Sequence, residues 1–170
     1  MRERGCREHE QCKHGKRPAE RSERYVHGDP FMIECRTMAS AERYDAFALM
    51  ERFRADKATL GEALSLFVER PDYGFVWLAY LDDHPAACVS ASLGIDSETG
   101  GLVATLRDLF VLPQRRRNGI GSALLVTLQA RLEQLGVTRV EAVCGRDPSL
   151  RPFFEARSYR ESGVAFTTGR

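Results

Sequence analysis

The 170 residues amount to one domain's worth of chain, long enough to bury a core and short for two. With 43% apolar and 29% charged residues the chain as a whole is not disordered, collagen-like or membrane-embedded, and no run approaches the ~18 consecutive apolar residues that a membrane helix needs. Twenty-five Lys and Arg against 24 Asp and Glu leave a net charge of +1, so composition supplies no attraction to nucleic acid.

The first 30 residues stand apart. They carry eight basic and six acidic residues and almost no large aliphatic ones, too little to offset the entropy of ordering, so 1–30 reads as a disordered charged arm before a folded domain over 31–170. Without the arm, 17 basic residues face 18 acidic ones, and the domain is near neutral. Cys6, His9, Cys12 and His14 bring zinc-ligand types close together, but the spacing lacks the dozen or so residues between ligand pairs within which a finger folds, so no metal is expected. Met1-Arg-Glu-Arg-Gly5 opens without an apolar stretch, which argues against a signal peptide, and five cysteines, an odd number, point to reduced thiols and a cytoplasmic setting.

After Pro30 the pattern becomes periodic. Phe31 to Arg36 reads as a first strand, and after Ser40 a helix is expected with Tyr44, Phe47, Met50 and Phe53 at helical spacing. A second short helix, Leu60 to Val68, puts Leu60, Leu64, Phe67 and Val68 on one face and stops at Pro71. The aromatic and β-branched run Tyr73–Leu81, a turn at Asp82–Pro85 and the run Ala86–Leu93 predict a β-hairpin. A polar loop, Gly94–Gly100, leads into a fourth strand, Gly101–Val111. Gly119–Leu135 is the best helix pattern of the chain, with an apolar stripe from Ile120 to Leu135 and Gly136 placed to end it. A fifth strand (Val137–Cys144), a short helix (Ser149–Ala156) and a last strand (Tyr159–Thr168) complete an α+β layout with a strand–helix–strand crossover late in the chain.

The stretch from Leu109 to Leu125 carries the chemistry: a strand, a basic loop with glycines, and a helix start. The first amides of a helix lack intrahelical partners and its dipole adds positive charge there, while Gly119 and Gly121 let an anion approach the backbone. Arg115, Arg116 and Arg117 surround that hole. A triphosphate-binding loop would need a lysine before Ser122, and a dinucleotide fold would need a third glycine where Leu124 stands; neither fits.

Val111-x-Pro113-x-x-Arg116-x-x-Gly119-x-Gly121, on a strand and followed by an amphipathic helix, resembles the coenzyme A pyrophosphate motif of the GNAT family of N-acetyltransferases. The likeness in element order runs from Phe31 to about Thr168. It implies a mixed, mostly antiparallel central sheet with helices on both faces, whose fourth and fifth strands splay apart, the thioester sitting in the gap beside Val143 and Cys144. By the same resemblance Leu109, Phe110 and Val111 would offer backbone groups to the pantetheine arm. The amides around the pyrophosphate would come from Arg117, Asn118, Gly119, Ile120, Gly121 and Ser122, beside the motif's Arg116.

Asp147 to Glu155 is similar to the family's Asn-x-x-Ala-x-x-Phe-Tyr-Glu, with Asp147 and Phe154 in positions that pack beside the cofactor. Here the chain departs from the pattern: Phe154 replaces the tyrosine that protonates the leaving thiolate, and Ser158-Tyr159 replaces Gly-Phe, leaving Tyr159 as the stand-in acid. On the fourth strand the positions matching the usual carboxylate base are Thr105 and Arg107, which cannot serve at neutral pH. Asp108 is the strand's one carboxylate, and strict alternation turns it to the opposite face unless a β-bulge reverses the parity.

The reading is therefore an acetyl-CoA-dependent N-acetyltransferase acting on a primary amine, with an acyl-CoA-binding sensor as the alternative. Acetyl-CoA as cosubstrate and an amine acceptor are the expected partners, with neither nucleic acid nor membrane, in a monomer or homodimer.

Overall fold

The computed structural model describes residues 23–25, 32–54, 56–98, 100–144 and 147–162. In chain order its elements are β1 (Glu23–Tyr25), β2 (Ile33–Thr37), α1 (Arg43–Met50), α2 (Lys57–Glu69), β3 (Gly74–Leu81), β4 (His84–Asp96), β5 (Gly101–Val111), α3 (Ile120–Gln134), β6 (Val137–Ala142) and α4 (Leu150–Glu155). A single 3-10 turn, Pro113–Arg115, stands between β5 and α3.

The strands lie side by side in the order of the chain, antiparallel up to β5, with β6 added parallel to β5 through the α3 crossover. The expected α+β class, mostly antiparallel sheet and helices on both faces are all present; the strands anticipated as fourth and fifth are β5 and β6. The central hairpin turns at Asp82 and Asp83, whose φ of 50° and 63° supply the two left-handed residues of a tight hairpin turn. α2 begins three residues earlier than the apolar pattern implies because Asp56 caps it, accepting from the Ala58 and Thr59 amides at 3.0 and 3.2 Å.

Two apolar layers sandwich the sheet. Beneath α3 and α4, Ile33, Trp77, Val89, Leu106, Leu124 and Leu128 are among the buried residues; on the other face α1 and α2 cover Val76, Leu78, Tyr80 and Cys88. β3 is buried along its whole length because it faces helices on both sides. Two polar ties cross these layers. The Trp77 indole donates to Thr127 Oγ1 (3.0 Å), whose hydroxyl donates in turn to the Ala123 carbonyl (2.8 Å). On the opposite face Tyr80 donates to Asp45 Oδ2 (2.8 Å), and burial is the first cause of a phenol raised well above its ordinary range.

Four expectations need correcting. The arm over 1–30 was expected to be structureless, yet Glu23–Tyr25 pair with Ile33–Cys35; an edge strand needs only backbone groups, so poverty in aliphatic residues does not prevent it. Tyr44, expected on the buried face of the first helix, is 80% exposed; Met50 and Phe47 pack there as expected, joined by Ala46 and Leu49. Phe53 lies beyond the end of α1. The loop over 94–100 is shorter than predicted, since β4 runs on to Asp96, buried where Arg139 reaches it at 3.3 Å. The last predicted strand falls largely outside the described residues, as do Cys6, His9, Cys12 and His14; its first residues, 159–162, carry no strand.

The Trp77–Thr127 tie gives a direct stability test. Thr127→Val keeps the shape but strands a buried indole N–H, so unfolding free energy should fall by about 1–3 kcal/mol, read as a lower urea midpoint at unchanged m-value.

Candidate active site

The site grows from two irregularities of β5. The ladder between β5 and β6 runs from Leu102 opposite Val137 to Leu106 opposite Ala142 and closes with the Val143 amide on the Leu106 carbonyl (2.9 Å). Beyond it β5 continues to Val111 with no strand partner on that side among the described residues, which is the splayed gap the resemblance implies. On its other side Ser90 opposes Arg107 and Cys88 opposes Phe110, so Val89 faces two residues, Asp108 and Leu109. That is a β-bulge, and Asp108 takes the extra place at φ 57°, a left-handed conformation that Asp tolerates better than most residues.

The bulge reverses the parity of the strand. Ala104 and Leu106 pack under α3 before it, Leu109 and Val111 after it. Asp108 consequently turns to the α1/α2 face, where the Ser90 hydroxyl donates to its Oδ2 (2.9 Å) and Arg54 Nη2 pairs with its Oδ1. Its carboxylate is mostly covered, 18% exposed. Cys88 points its thiol at the Asp108 carbonyl (3.8 Å), and burial raises that thiol far out of nucleophile range. Just outside, the Phe53 and Phe110 rings meet at 5.0 Å.

At the far end of the free segment the loop turns into α3. Gly119 caps the helix at φ 73°, and the first intrahelical bond is Ala123 N to Gly119 O (2.9 Å), so the amides of Ile120, Gly121 and Ser122 have no intrahelical acceptor. A cleft of about 880 Å³ opens there, between Leu109–Val111 on one side and α4 on the other. Its rim holds Arg115, Arg116, Arg117 and Arg157, and a Cβ at position 121 would rest in ordinary contact with Val111 and the Phe153 ring at 3.4 Å, so any longer side chain there would enter the cleft. Amides without intrahelical acceptors and guanidinium groups, beside a strand edge that has no strand partner among the described residues, form a donor set that fits an elongated, phosphate-bearing ligand such as coenzyme A. Arg116 is partly committed to structure: its Nε donates to the Val111 carbonyl (3.2 Å) and its Nη2 lies 3.8 Å from Asp147. Asp147 accepts from the Ser149 amide (2.9 Å) and hydroxyl (2.6 Å), and these bonds hold its carboxyl below the usual range.

Of the residues singled out in the sequence, Leu109, Phe110, Val111, Arg116, Arg117, Gly119, Ile120, Gly121, Ser122 and Asp147 all line this cleft. Asn118 is exposed in the turn before α3 and lies outside the lining. Phe154 is 4% exposed, its ring between those of Phe153 (5.6 Å) and half-buried Tyr159 (5.1 Å), and it is Phe153 that faces the cleft. Burial raises the Tyr159 phenol. Cys144 is exposed, with a thiol that burial of its neighbourhood nonetheless pushes up, the wrong direction for a nucleophile.

Two arginines went unnoticed in the sequence. Arg157 lies on the Phe153 ring (3.7 Å from its centre), donates to the Phe153 carbonyl (2.7 Å) and to Ser122 Oγ, and so pins α4 to the start of α3. Its place just after the Phe-Phe-Glu run was the available signal. Arg54 reaches Asp108 across 54 residues of chain, and nothing local announces that pairing. Among the described residues no group of three or more His, Cys, Asp or Glu could hold a metal ion, and no helix is long and apolar enough to cross a membrane.

A crossover sheet with a splayed, bulged strand feeding a glycine-capped helix start is the arrangement of the acetyltransferase class of fold. The sequence profile of the Acetyltransferase (GNAT) family matches residues 38–159, and the chain belongs to that family. Among solved structures it is similar to an integron cassette protein from the mobile metagenome of Cole Harbour Salt Marsh (23% identity, 80% of this chain and 89% of that one, TM-score 0.70). It is similar as well to a predicted acetyltransferase with acetyl-CoA from Clostridium acetobutylicum (12%, 81% and 96%, TM-score 0.68). A third similar structure is AAC(6')-Iy in complex with a bisubstrate analog (19%, 81% and 98%, TM-score 0.66). At these identities the likeness is one of fold. No curated protein matches the chain.

Ser158 ends α4 at φ 67°, where a side chain crowds its own backbone. Ser158→Gly should stabilise the protein by about 1 kcal/mol, a rise in melting temperature of roughly 3 °C by calorimetry.

Proposed function

We propose that the protein transfers an acetyl group from acetyl-CoA to a primary amine by direct attack within a complex that holds both substrates. The observation that carries this reading is the layout of one strand end. Asp108 stands at its start on the α1/α2 face, the amide and arginine hole at its finish, and Leu109–Val111 run between them with a free edge.

Each part has a task. The backbone of Leu109, Phe110 and Val111 takes the pantetheine arm as a sheet takes another strand. The amides of Gly119 to Ser122, with Arg115, Arg117 and Arg157 around them, hold the pyrophosphate. Asp108 accepts the proton that the amine must lose as it attacks the thioester carbonyl, and a β5 amide such as that of Leu109 or Phe110 steadies the developing oxyanion. Phe154 has no proton to offer the departing thiolate, and Tyr159, the stand-in acid suggested by the sequence, packs on Phe154 outside the cleft lining, so solvent supplies it. The thiols of Cys88 and Cys144, neither in a disulfide, fit a reducing, cytoplasmic setting.

Two measurements test this. Coenzyme A or acetyl-CoA at ~100 times its dissociation constant should stabilise the fold by about 2.7 kcal/mol, a clear rise in melting temperature that Gly121→Glu removes by filling the hole with a carboxylate. No shift at millimolar coenzyme A overturns the reading.

Thiol release from acetyl-CoA across a panel of amines should exceed hydrolysis, and Asp108→Asn should slow it by roughly 10²–10⁴-fold while the coenzyme-induced melting shift persists. The second reading, a sensor that binds acyl-CoA without turnover, draws on the lack of a hydroxyl at both Phe153, which faces the cleft, and Phe154 behind it, and on the Arg54–Asp108 ion pair. Binding without thiol release from any amine would favour it.

A further inference from the structure

The acceptor end of the site is surplus in positive charge. Ser90 and Arg107 are directly opposed in the ladder, so their side chains share a face, and the Ser90 hydroxyl fixes that face as the one holding Asp108. Arg107 is exposed on it, and Arg54 approaches the same carboxylate from the segment after α1. One guanidinium thus pairs with the carboxylate, and a second is exposed next to it on the strand. The neighbouring acids are engaged elsewhere: Glu51 is held by Lys57 at 2.8 Å, the Asp56 carboxylate caps α2, and Glu141, opposite Thr105, is held by Arg139 at 3.0 Å. The Phe53 and Phe110 rings meet beside this patch, and Phe110 also lines the cleft.

From this arrangement we infer that the acceptor amine carries an anionic group, carboxylate or phosphate, within a few bonds of its nitrogen. The inference rests on the acetyl-transfer reading and names the substrate class of that same site. A polycationic amine would meet Arg54 and Arg107 before it met Asp108 and would be repelled by both. An amine with a neighbouring acid exchanges partners instead: its ammonium replaces Arg54 at Asp108, and its acid takes the guanidinium so released together with that of Arg107. No ion is left without a counterpart, and Asp108 ends beside the nitrogen whose proton it must take. The planar fork of arginine suits a carboxylate or phosphate in two-point contact, which a lysine would not reproduce.

The test compares matched amines with full-length protein and acetyl-CoA, read as released thiol. Phenylalanine is set against phenethylamine, and phosphoethanolamine against ethanolamine, with spermidine as the polycation. The acid-bearing member of at least one pair should show a kcat/KM higher by about tenfold or more, as expected for a charge-assisted contact, and the pair that responds tells carboxylate from phosphate. Arg107→Gln should draw that ratio toward one chiefly by raising KM for the acid-bearing amine, and Arg107→Lys should restore part of it. Equal or better turnover of the acid-free amines and spermidine overturns this inference and leaves acetyl transfer standing. Thiol release from no amine, with coenzyme A still raising the melting temperature, overturns both.

Discussion

Val89 is opposed by two residues of β5 where every neighbouring pair is matched one to one, and that mismatch organises the rest of the molecule. Without the extra residue, alternation would carry the Asp108 carboxylate into the layer under α3, among Val89, Leu106 and Ile120, where an unpaired charge costs several kcal/mol. With it, the carboxylate emerges on the α1/α2 face, and Leu109 and Val111 take its place against α3. The strained φ at Asp108 is compensated by the contacts it creates: the Ser90 hydroxyl, the Arg54 guanidinium, and intact packing on both sides of the sheet.

The folded domain is nearly neutral, yet charge is sharply sorted within it. Arginine collects at the two ends of the free part of β5, Arg54 and Arg107 at the start, Arg115 to Arg117 and Arg157 at the finish. Not all of it is available to a ligand. Arg116 braces the Val111 carbonyl and Asp147, and Arg157 is clamped between Ser122 and Phe153, so these two shape the cleft as well as charging it. Nearer the beginning of β5 Arg139 spans Asp96, Glu98 and Glu141 in a surface network.

Much of this was legible in the sequence because it is written in local patterns. The hairpin follows from an aromatic, β-branched run, a turn and a second run; α3 follows from its apolar stripe; the anion hole follows from Arg-x-x-Gly-x-Gly between a strand and a helix. What escaped is what depends on partners far along the chain. β1 exists because β2 offers it a backbone edge, and the exposure of Tyr44 reflects how α1 rolls on the sheet, which spacing alone does not fix. The bulge could be named as a condition for Asp108 to face the acceptor, but a ladder shift is a property of two strands, and neither sequence declares it. The Arg54–Asp108 and Arg157–Ser122 contacts are of the same kind.

The edge of β5 beyond Leu106, without a strand partner among the described residues, also bears on how copies of this protein treat one another. A bare strand edge invites the same edge of another copy, and two such edges pairing antiparallel around a twofold axis would set the start of one segment against the finish of the other. Here that juxtaposes Arg107 of each copy with the arginine-bearing loop at 115–117 of its mate, a like-charge encounter repeated twice. Guanidinium groups at both ends therefore disfavour that particular edge-to-edge pairing.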